Sequence, residues 1–395
     1  MPDLTLDHNG NNSQNVDFTV RAVREMLRAM PNPLNPVTLQ TLALKAGLSV
    51  SGVSLALRGS SKISAETQER VRRIADEIGY RPNAMVSALM AHIKGGRPAA
   101  GVSASAVIGW LNNTREEGFW RSHPYTRPFL SGASQRAEQL GFRLEEFWIR
   151  QPGMASQRLQ RILQTRSIEG VVITQSIRAY SHVSLDLNLF AAATFQHGIV
   201  RPSMHRTSAN YFANTLTALR ELRKLGYNKI GMFLTKVQDR FTDFGMTSAF
   251  LQWQRTMPDG LCSPLECVEA KSEEVGSMLT KWLKRHKPDA VLCVDNRVPD
   301  IVRANIPGGT DKIGVAHIGL ASEELKDGIS GIDIRAEQIA AATVDSVVAQ
   351  LHRNERGMNS SPKLILIDGI WIPGATTPGK MRQAACGSGK PRPVR

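Results

Sequence analysis

The sequence predicts two folds in one chain: an all-α helix-turn-helix unit in residues 36–81, and a larger α/β unit with mainly parallel sheets in residues 99–377. Three observations lead to this prediction. Short segments near the N-terminus begin with residues suited to cap helices. A linker, Lys94-Gly95-Gly96-Arg97-Pro98, follows them. Beyond it, short apolar runs alternate with amphipathic segments long enough to be helices.

The smaller unit is predicted to hold three helices, because Thr38, Ser49 and Ser64 each precede a run with helical apolar spacing. A side-chain oxygen there accepts a hydrogen bond from a backbone N–H that the first turn leaves unpaired. Gly47 supplies a left-handed residue after the first helix, and the short turn gives helix-turn-helix spacing. One small core is expected from Leu39, Leu42, Ala43, Leu48, Val53, Leu57, Val71, Ile74, Ala75 and Ile78.

Charge favours a polyanionic partner. The 395-residue chain carries 49 Lys and Arg against 35 Asp and Glu, a net charge of +14. Around the predicted helices the basic residues lie away from the apolar face; they are Lys45, Arg58, Lys62, Arg70, Arg72 and Arg73. A compact basic three-helix unit suits a phosphate backbone. The alternative is a generic three-helix bundle whose basic face is merely solvated.

Several motifs carry a resemblance to a known family. They are V-T-L at 37–39, A-G-L-S at 46–49, V-S at 53–54, S-A-E-T-Q-E-R-V-R-R-I-A at 64–75 and I-G-Y-R-P-N at 78–83. This pattern resembles the DNA-binding headpiece of the lactose-repressor/galactose-repressor (LacI/GalR) family of bacterial transcription regulators. The resemblance implies that the start of the second helix, at Val50, Ser51 and Leu55, enters the major groove of DNA.

Few hydrogen bonds to base edges are expected. Ser51 and Ser54 would make them, and apolar side chains would contact thymine methyl groups. Residues 82–98 are predicted to be a hinge helix and linker. The resemblance implies that Leu89 wedges into the minor groove and bends the duplex; a plain linker is the alternative. The predicted DNA-binding residues are Thr38, Leu39, Ser49, Val50, Ser51, Ser54, Leu55, Arg58, Lys62, Asn83 and Leu89.

In the larger unit, strands are predicted at 106–111, 142–149, 170–174, 191–195, 229–234, 265–268, 290–294, 313–318, 363–367 and 369–372. Helices are predicted at 128–140, 154–166, 208–225, 243–255, 273–286 and 336–353. This alternation favours two parallel sheets covered on both faces. The family resemblance continues to residue 377, and implies a periplasmic-binding-protein-like domain of two lobes that binds an effector and dimerises.

Ligands of such sheets bind beyond the carboxyl ends of the strands. That rule and the residue types that bind sugar hydroxyls give the candidate effector-binding residues Trp120, Tyr125, Arg127, Gln175, His197, Arg240, Asp243, Asp295 and Asn296. Two departures from the family stand out. Gly319 occupies a place where relatives carry Asp, and Arg240 lies five residues before Gly245 instead of about three. An effector unlike the commonest sugars, or a rearranged pocket, is therefore expected.

The sequence lacks the motifs of metal-binding proteins, of common enzyme classes and of exported proteins. The four Cys residues are scattered, and no nucleophile elbow, Walker loop or zinc motif occurs, so neither a metal, a cofactor nor an enzyme is expected. No export signal or long apolar run is present, which favours the cytoplasm over a membrane.

Residues 1–35 are expected to be a mostly disordered extension, either a local addition or the product of an upstream start codon. Residues 378–395 are expected to be a disordered basic tail.

Together these inferences predict a homodimeric transcription regulator that binds double-stranded operator DNA under the control of a small-molecule effector, a sugar or sugar derivative. A repressor is the first prediction. An activator of the same family is the alternative, followed by a cytosolic sugar-binding protein without DNA function.

Overall fold

A computed structural model describes residues 39–57, 63–78, 80, 106–176, 181–257, 265–268, 274–321, 328–358 and 361–380. The chain forms two compact units, Met1–Pro82 and Asn83–Arg395.

The smaller unit contains α1 (Leu39–Ala46), α2 (Val50–Leu57) and α3 (Ala65–Ile78), as the sequence predicts. Two of the predicted caps are present: the backbone N–H of Gly52 donates to Ser49 Oγ at 3.1 Å, and that of Thr67 donates to Ser64 Oγ at 3.3 Å. Gly47 is left-handed with φ +63°. The third predicted cap, Thr38, lies outside the described residues. Local sequence signals therefore account for the starts of α2 and α3 and for the end of α1.

One small core joins these helices. Leu42, Val53, Ala56 and Val71 are fully buried in it. All of the predicted core residues belong to this cluster, either buried or packed against it, and Tyr80 packs beside them. The side chains of Lys45, Arg70, Arg72 and Arg73 are exposed on the outside.

The larger unit contains helices α4 (Phe119–Ser122), α5 (Arg127–Gln139), α6 (Ser156–Thr165), α7 (Tyr211–Lys224), α8 (Lys236–Phe241), α9 (Gly245–Arg255), α10 (Val275–His286), α11 (Val298–Asn305), α12 (Gly309–Lys312) and α13 (Ala336–His352). Its strands are β1 (Ala106–Asn112), β2 (Phe142–Trp148), β3 (Gly170–Ile173), β4 (Ser181–His182), β5 (Ala191–Phe195), β6 (Ile199–Arg201), β7 (His205–Ala209), β8 (Ile230–Thr235), β9 (Leu265–Val268), β10 (Ala290–Cys293), β11 (Gly314–Leu320), β12 (Ser330–Asp333), β13 (Leu364–Ile367) and β14 (Ile370–Ile372).

Twelve of these strands form two large sheets, which define two lobes, and β4 pairs with β6 in a small separate sheet. The first-lobe sheet has the order β13-β7-β5-β3-β1-β2, and all of its strands are parallel. The second-lobe sheet has the order β14-β12-β11-β10-β8-β9, in which β14 alone is antiparallel to its neighbour. Every residue of β5 and β8 is buried, as expected for strands covered on both faces. The predicted fold class is confirmed.

The chain passes between the lobes three times. After β7 it enters α7, which packs on the second-lobe strands β11, β12 and β14; after β12 it enters α13, which packs on the first-lobe strands β3, β5 and β7. Finally, β13 lies in the first sheet and β14 in the second. Two of the crossing segments are hydrogen-bonded together: Asn210 Nδ2 donates to Asp368 Oδ1 at 2.8 Å, and Gly369 N donates to Asn214 Oδ1 at 2.7 Å.

Some predicted boundaries are wrong. Residues 208–209, predicted to begin a helix, end β7, whose polar sequence His-Arg-Thr-Ser-Ala hid a strand in the middle of the sheet. His205 shows how that polarity is accommodated, because its Nδ1 accepts a hydrogen bond from the Lys363 backbone at 2.9 Å. Helix α9 begins at Gly245 and not at residue 243, because Asp243 and Phe244 are left-handed, with φ 51° and 59°. The elements that were not predicted also include α4, α8, α11, α12, β4, β6 and β12.

Candidate functional site

The first candidate site is the start of α2. Val50 is 44% exposed there, and Ser51 beside it is also exposed. Ser49 is exposed too, while Leu39, Ser54 and Leu55 are half-buried. The cap at Ser49 fixes this first turn, so that a small apolar side chain and a hydroxyl project together from its outer face. The predicted DNA-binding residues Thr38, Arg58, Lys62, Asn83 and Leu89 lie outside the described residues.

The second candidate site is a cavity of about 340 Å³ between the two lobes. It lies beyond the carboxyl ends of β1, β3, β8 and β10 and beside the end of β11, the edge that the parallel-sheet rule selects. The first lobe contributes Thr114, Phe119, Trp120, His123, Tyr125, Thr126, Gln175 and Ser176 to its wall. The second lobe contributes Gln238, Phe241, Thr242, Val294, Asn296, His317, Ile318 and Gly319, and Tyr211 joins them from the first residue of α7.

An aromatic cluster fixes the first-lobe wall. Trp120 is fully buried, with its ring centroid 5.4 Å from that of Trp110 and 5.3 Å from that of Phe195, both edge to face. Phe129 stacks on Phe195 with centroids 5.1 Å apart. Such packing holds the Trp120 indole rigidly. Its Nε1–H has no hydrogen-bond partner among the described residues, which leaves one buried donor in the wall of the cavity.

Two tyrosines, the buried Tyr211 and the half-buried Tyr125, lie at the boundary between the lobes. Burial raises the pKa of Tyr125, while hydrogen bonds with Tyr211 and Gln196 act in the opposite direction. Burial likewise raises the pKa of Tyr211 well above its usual value. Gln196, which is left-handed with φ 54°, is held by a hydrogen bond of 2.8 Å from Ser208 Oγ to its Oε1. These contacts tie the turn after β5 to the first residue of α7 and leave neutral phenols at the cavity.

The second-lobe wall carries amides and a histidine. Gln238 Oε1 accepts a hydrogen bond of 2.8 Å from Thr235 N in a capping box, which fixes its side chain at the start of α8. His317 is 3% exposed, and neither ring nitrogen has a hydrogen bond of standard geometry among the described residues. Burial lowers the pKa of His317 to about 4, against the opposing effects of the Val294 backbone and the Asp295 carboxylate. His317 is therefore neutral at pH 7.

The structure divides the predicted effector residues into two groups. Trp120, Tyr125, Gln175 and Asn296 line the cavity. The remaining ones, which do not line it, are Arg127, His197, Arg240, Asp243 and Asp295.

Asp295 is engaged by its neighbour. Its carboxylate accepts hydrogen bonds from Arg297 Nη2 at 2.6 Å and Nε at 2.9 Å. Burial alone would raise the pKa of Asp295, but the hydrogen bonds and charge of Arg297 outweigh it and lower that pKa. Asp295 thus faces its own loop.

Sequence reasoning missed several wall residues. Phe119, Phe241 and Thr242 belong to α4, α8 and the turn after α8, short elements without an apolar repeat of their own. His317 lies within a strand, where a polar residue gave no sign of facing a cavity. Val294 and Gly319 lie at the ends of the strands predicted at 290–294 and 313–318, the edge that the strand-end rule selects.

The side chains around the cavity bear on whether it suits a metal ion or an organic ligand. In the described ranges, no three His, Cys, Asp or Glu side chains gather to hold a metal ion. The walls of the cavity instead combine aromatic rings with the amides of Gln175, Gln238 and Asn296. Such walls suit a small organic molecule with a ring and hydrogen-bonding groups.

Among the described segments, none of the helices has both the length and the apolar character that a transmembrane helix needs.

Comparison with known proteins points to one family. Residues 38–83 match the family model described as "Bacterial regulatory proteins, lacI family". The chain is 32% identical over 104 residues to the HTH-type transcriptional regulator MalR of Streptococcus pneumoniae, covering 26% of this chain and 28% of MalR. It is also 32% identical over 139 residues to the maltose regulon regulatory protein MalI of Escherichia coli, covering 35% of each chain. The aligned regions thus span about a third or less of these relatives' length.

A solved structure supports the fold. The structure of a putative transcriptional regulator LacI from Bacillus cereus subsp. cytotoxis superposes with a TM-score of 0.50 and 15% sequence identity. The superposition covers 70% of this chain and 99% of that one. At this identity the similarity extends to the fold alone.

Proposed function

We propose, from the match of residues 38–83 to the lacI family model, that the chain belongs to this family of bacterial regulatory proteins and is a sequence-specific DNA-binding transcription regulator. It acts in the cytoplasm as a homodimeric repressor, each copy binding one half of a pseudo-palindromic operator. A small-molecule effector, a sugar or sugar derivative, controls its operator affinity.

The exposed first turn of α2 is the observation that carries this proposal. In a helix-turn-helix, the second helix enters the major groove with its N-terminal residues at the base edges. Val50 and Ser51 hold that position here, and both are exposed. Val50 suits contact with a thymine methyl group, and Ser51 suits a hydrogen bond to a base or phosphate.

The cavity supports control by a ligand. Its wall comes from both lobes, and Tyr211 stands at a segment that crosses between them. A molecule bound there contacts both lobes at once, so its binding favours one relative arrangement of the lobes over others. A coupling of about 1–3 kcal/mol between ligand and DNA is typical of such control.

Footprinting tests the proposal. Full-length protein is incubated with DNA from upstream of its own and neighbouring genes, with and without a panel of sugars, across a range of salt concentrations. We expect a protected palindromic site, affinity that falls steeply with salt, and a change of affinity with at least one sugar.

Variants identify the reading surface. Val50→Ala and Ser51→Ala are each expected to weaken operator binding by about 1–3 kcal/mol while non-specific DNA affinity changes little. Ser156→Ala, which removes an exposed serine from α6 in the other unit, is the matched control. Protein that protects no site at any salt concentration, or whose specificity survives both α2 substitutions, would refute the assignment.

A further inference from the structure

A single loop of the second lobe touches the cavity, the first lobe and a crossing segment. This α8–α9 loop comprises Thr242, Asp243 and Phe244. Thr242 lines the cavity together with Phe241 before it. The next residue, Asp243, reaches the first lobe, where its Oδ2 lies 4.0 Å from Nδ1 of His197 in the turn after β5.

Arg206 of β7 holds the turn that contains His197. Its guanidinium donates hydrogen bonds to the backbone carbonyls of Gln196 and Ile199, which flank His197. Burial lowers the pKa of Arg206, and the charge of Asp243 acts in the opposite direction. A second-lobe carboxylate thus attracts a half-buried first-lobe cation.

His197 and Arg206 of the first lobe interact with Asp243 in different ways. Burial and the charge of Arg206 lower the pKa of His197 to about 4, while Asp243 opposes them. His197 is therefore neutral at pH 7, and its Nδ1 lies beside Asp243 Oδ2 at 4.0 Å, beyond hydrogen-bond distance. The charge attraction across the lobes at neutral pH comes from Arg206.

The backbone of the α8–α9 loop is closely fitted. Asp243 and Phe244 are both left-handed, a conformation that residues with side chains adopt only at some cost. A Cβ atom added at Gly245 would lie 3.3 Å from Tyr211 Cβ and 3.4 Å from Phe212 N. The loop therefore packs tightly on the start of α7. A shift of the lobes must therefore move this loop relative to the first lobe or to the crossing segment.

We propose that Asp243 is a latch between the lobes: its attraction to Arg206 and its contact with His197 stabilise the lobe arrangement seen here, at the rim of the cavity. A ligand that displaces Phe241 or Thr242 acts on the same loop and so shifts the latch. The inference rests on the proposed function only in taking the lobes to respond to a ligand.

Hydrogen–deuterium exchange on the full-length, ligand-free protein tests the latch. Asp243→Asn removes the charge and keeps a residue that tolerates the left-handed backbone. We expect exchange in residues 196–200 of the first lobe to accelerate about fivefold, the upper range for a partly exposed ion pair. Raising the salt concentration to about 0.5 M should accelerate exchange in the wild type and have little effect in the variant, since salt screens the same attraction.

Asp300→Asn is the matched control. It removes an exposed second-lobe carboxylate that pairs with Arg303 of the same helix at 2.9 Å, so it leaves the contact between lobes intact. Unchanged exchange in 196–200 for Asp243→Asn would overturn the proposal. Equal acceleration throughout the core strands of both lobes would also overturn it, because that pattern marks general loss of stability. The measurement uses neither DNA nor ligand, so its outcome is separate from that of the footprinting.

Discussion

The buried histidine in the wall of the cavity should make the larger unit sensitive to acid. His317 has a pKa of about 4 in the folded protein, whereas an unperturbed histidine has a value of 6.5. Below pH 6.5 the unfolded chain takes up a proton that the folded protein excludes. The unfolded state then binds more protons, so the free energy of unfolding falls as the pH falls from about 6.5 to about 4. Above pH 6.5 His317 is neutral in both states and contributes no pH dependence.

The size of this effect follows from the shift. Each pKa unit corresponds to 1.36 kcal/mol, so His317 accounts for a loss of about 3 kcal/mol across that range. His197, whose pKa is also lowered to about 4, adds a loss over the same range. The contribution of His317 is therefore measured as a difference between the wild type and a variant that lacks it.

Urea unfolding at several pH values between 7.5 and 4 tests this reasoning on wild type and His317→Gln. The variant should lose about 3 kcal/mol less of its unfolding free energy between pH 6.5 and 4. His182→Gln, which replaces an exposed histidine of the first lobe, should follow the wild-type curve. If His317→Gln and wild type lose stability in parallel below pH 6.5, the attribution to His317 is refuted.

Three further predictions follow. Gly132→Ala should lower the free energy of unfolding by about 2–3 kcal/mol in urea, because the new Cβ would lie 2.4 Å from the Glu337 carbonyl oxygen; the control Gly276→Ala, with ordinary contacts of 3.6 Å, should lose nothing, and similar losses for both would contradict this reasoning. Ser49→Ala should speed hydrogen exchange in residues 50–57 by about fivefold, matching a cap worth about 1 kcal/mol, and no change would exclude the capping role. Leu89→Ala, a prediction from the sequence, should weaken specific DNA binding more than non-specific binding in titrations, whereas equal losses would exclude a wedge.

The smaller unit was predictable because its signals are local. Ser49 and Ser64 cap the helices they precede, and Gly47 takes the left-handed conformation that a short turn requires. Helical spacing of apolar residues then selected the core without any knowledge of tertiary contacts. Each of these features depends on residues no more than a few positions apart.

The cavity was only partly predictable. The strand-end rule located its edge of the sheets, and Trp120, Tyr125, Gln175 and Asn296 do line it. Asp295 does not, because Arg297 two residues later binds its carboxylate. Loop composition shows that such a residue is near a site, but it does not show which way the side chain turns.

The sequence by itself determined the two fold classes, the order of most helices and strands, and the position of the helix whose first turn is exposed. Hydrophobic spacing and capping are short-range effects, so they can be identified along the chain. Only the tertiary structure decided that the polar residues of β7 form a buried strand and that Asp243 reaches His197 on the other lobe. Those outcomes depend on contacts between residues far apart in sequence, whose burial and pairing are settled when the lobes pack together.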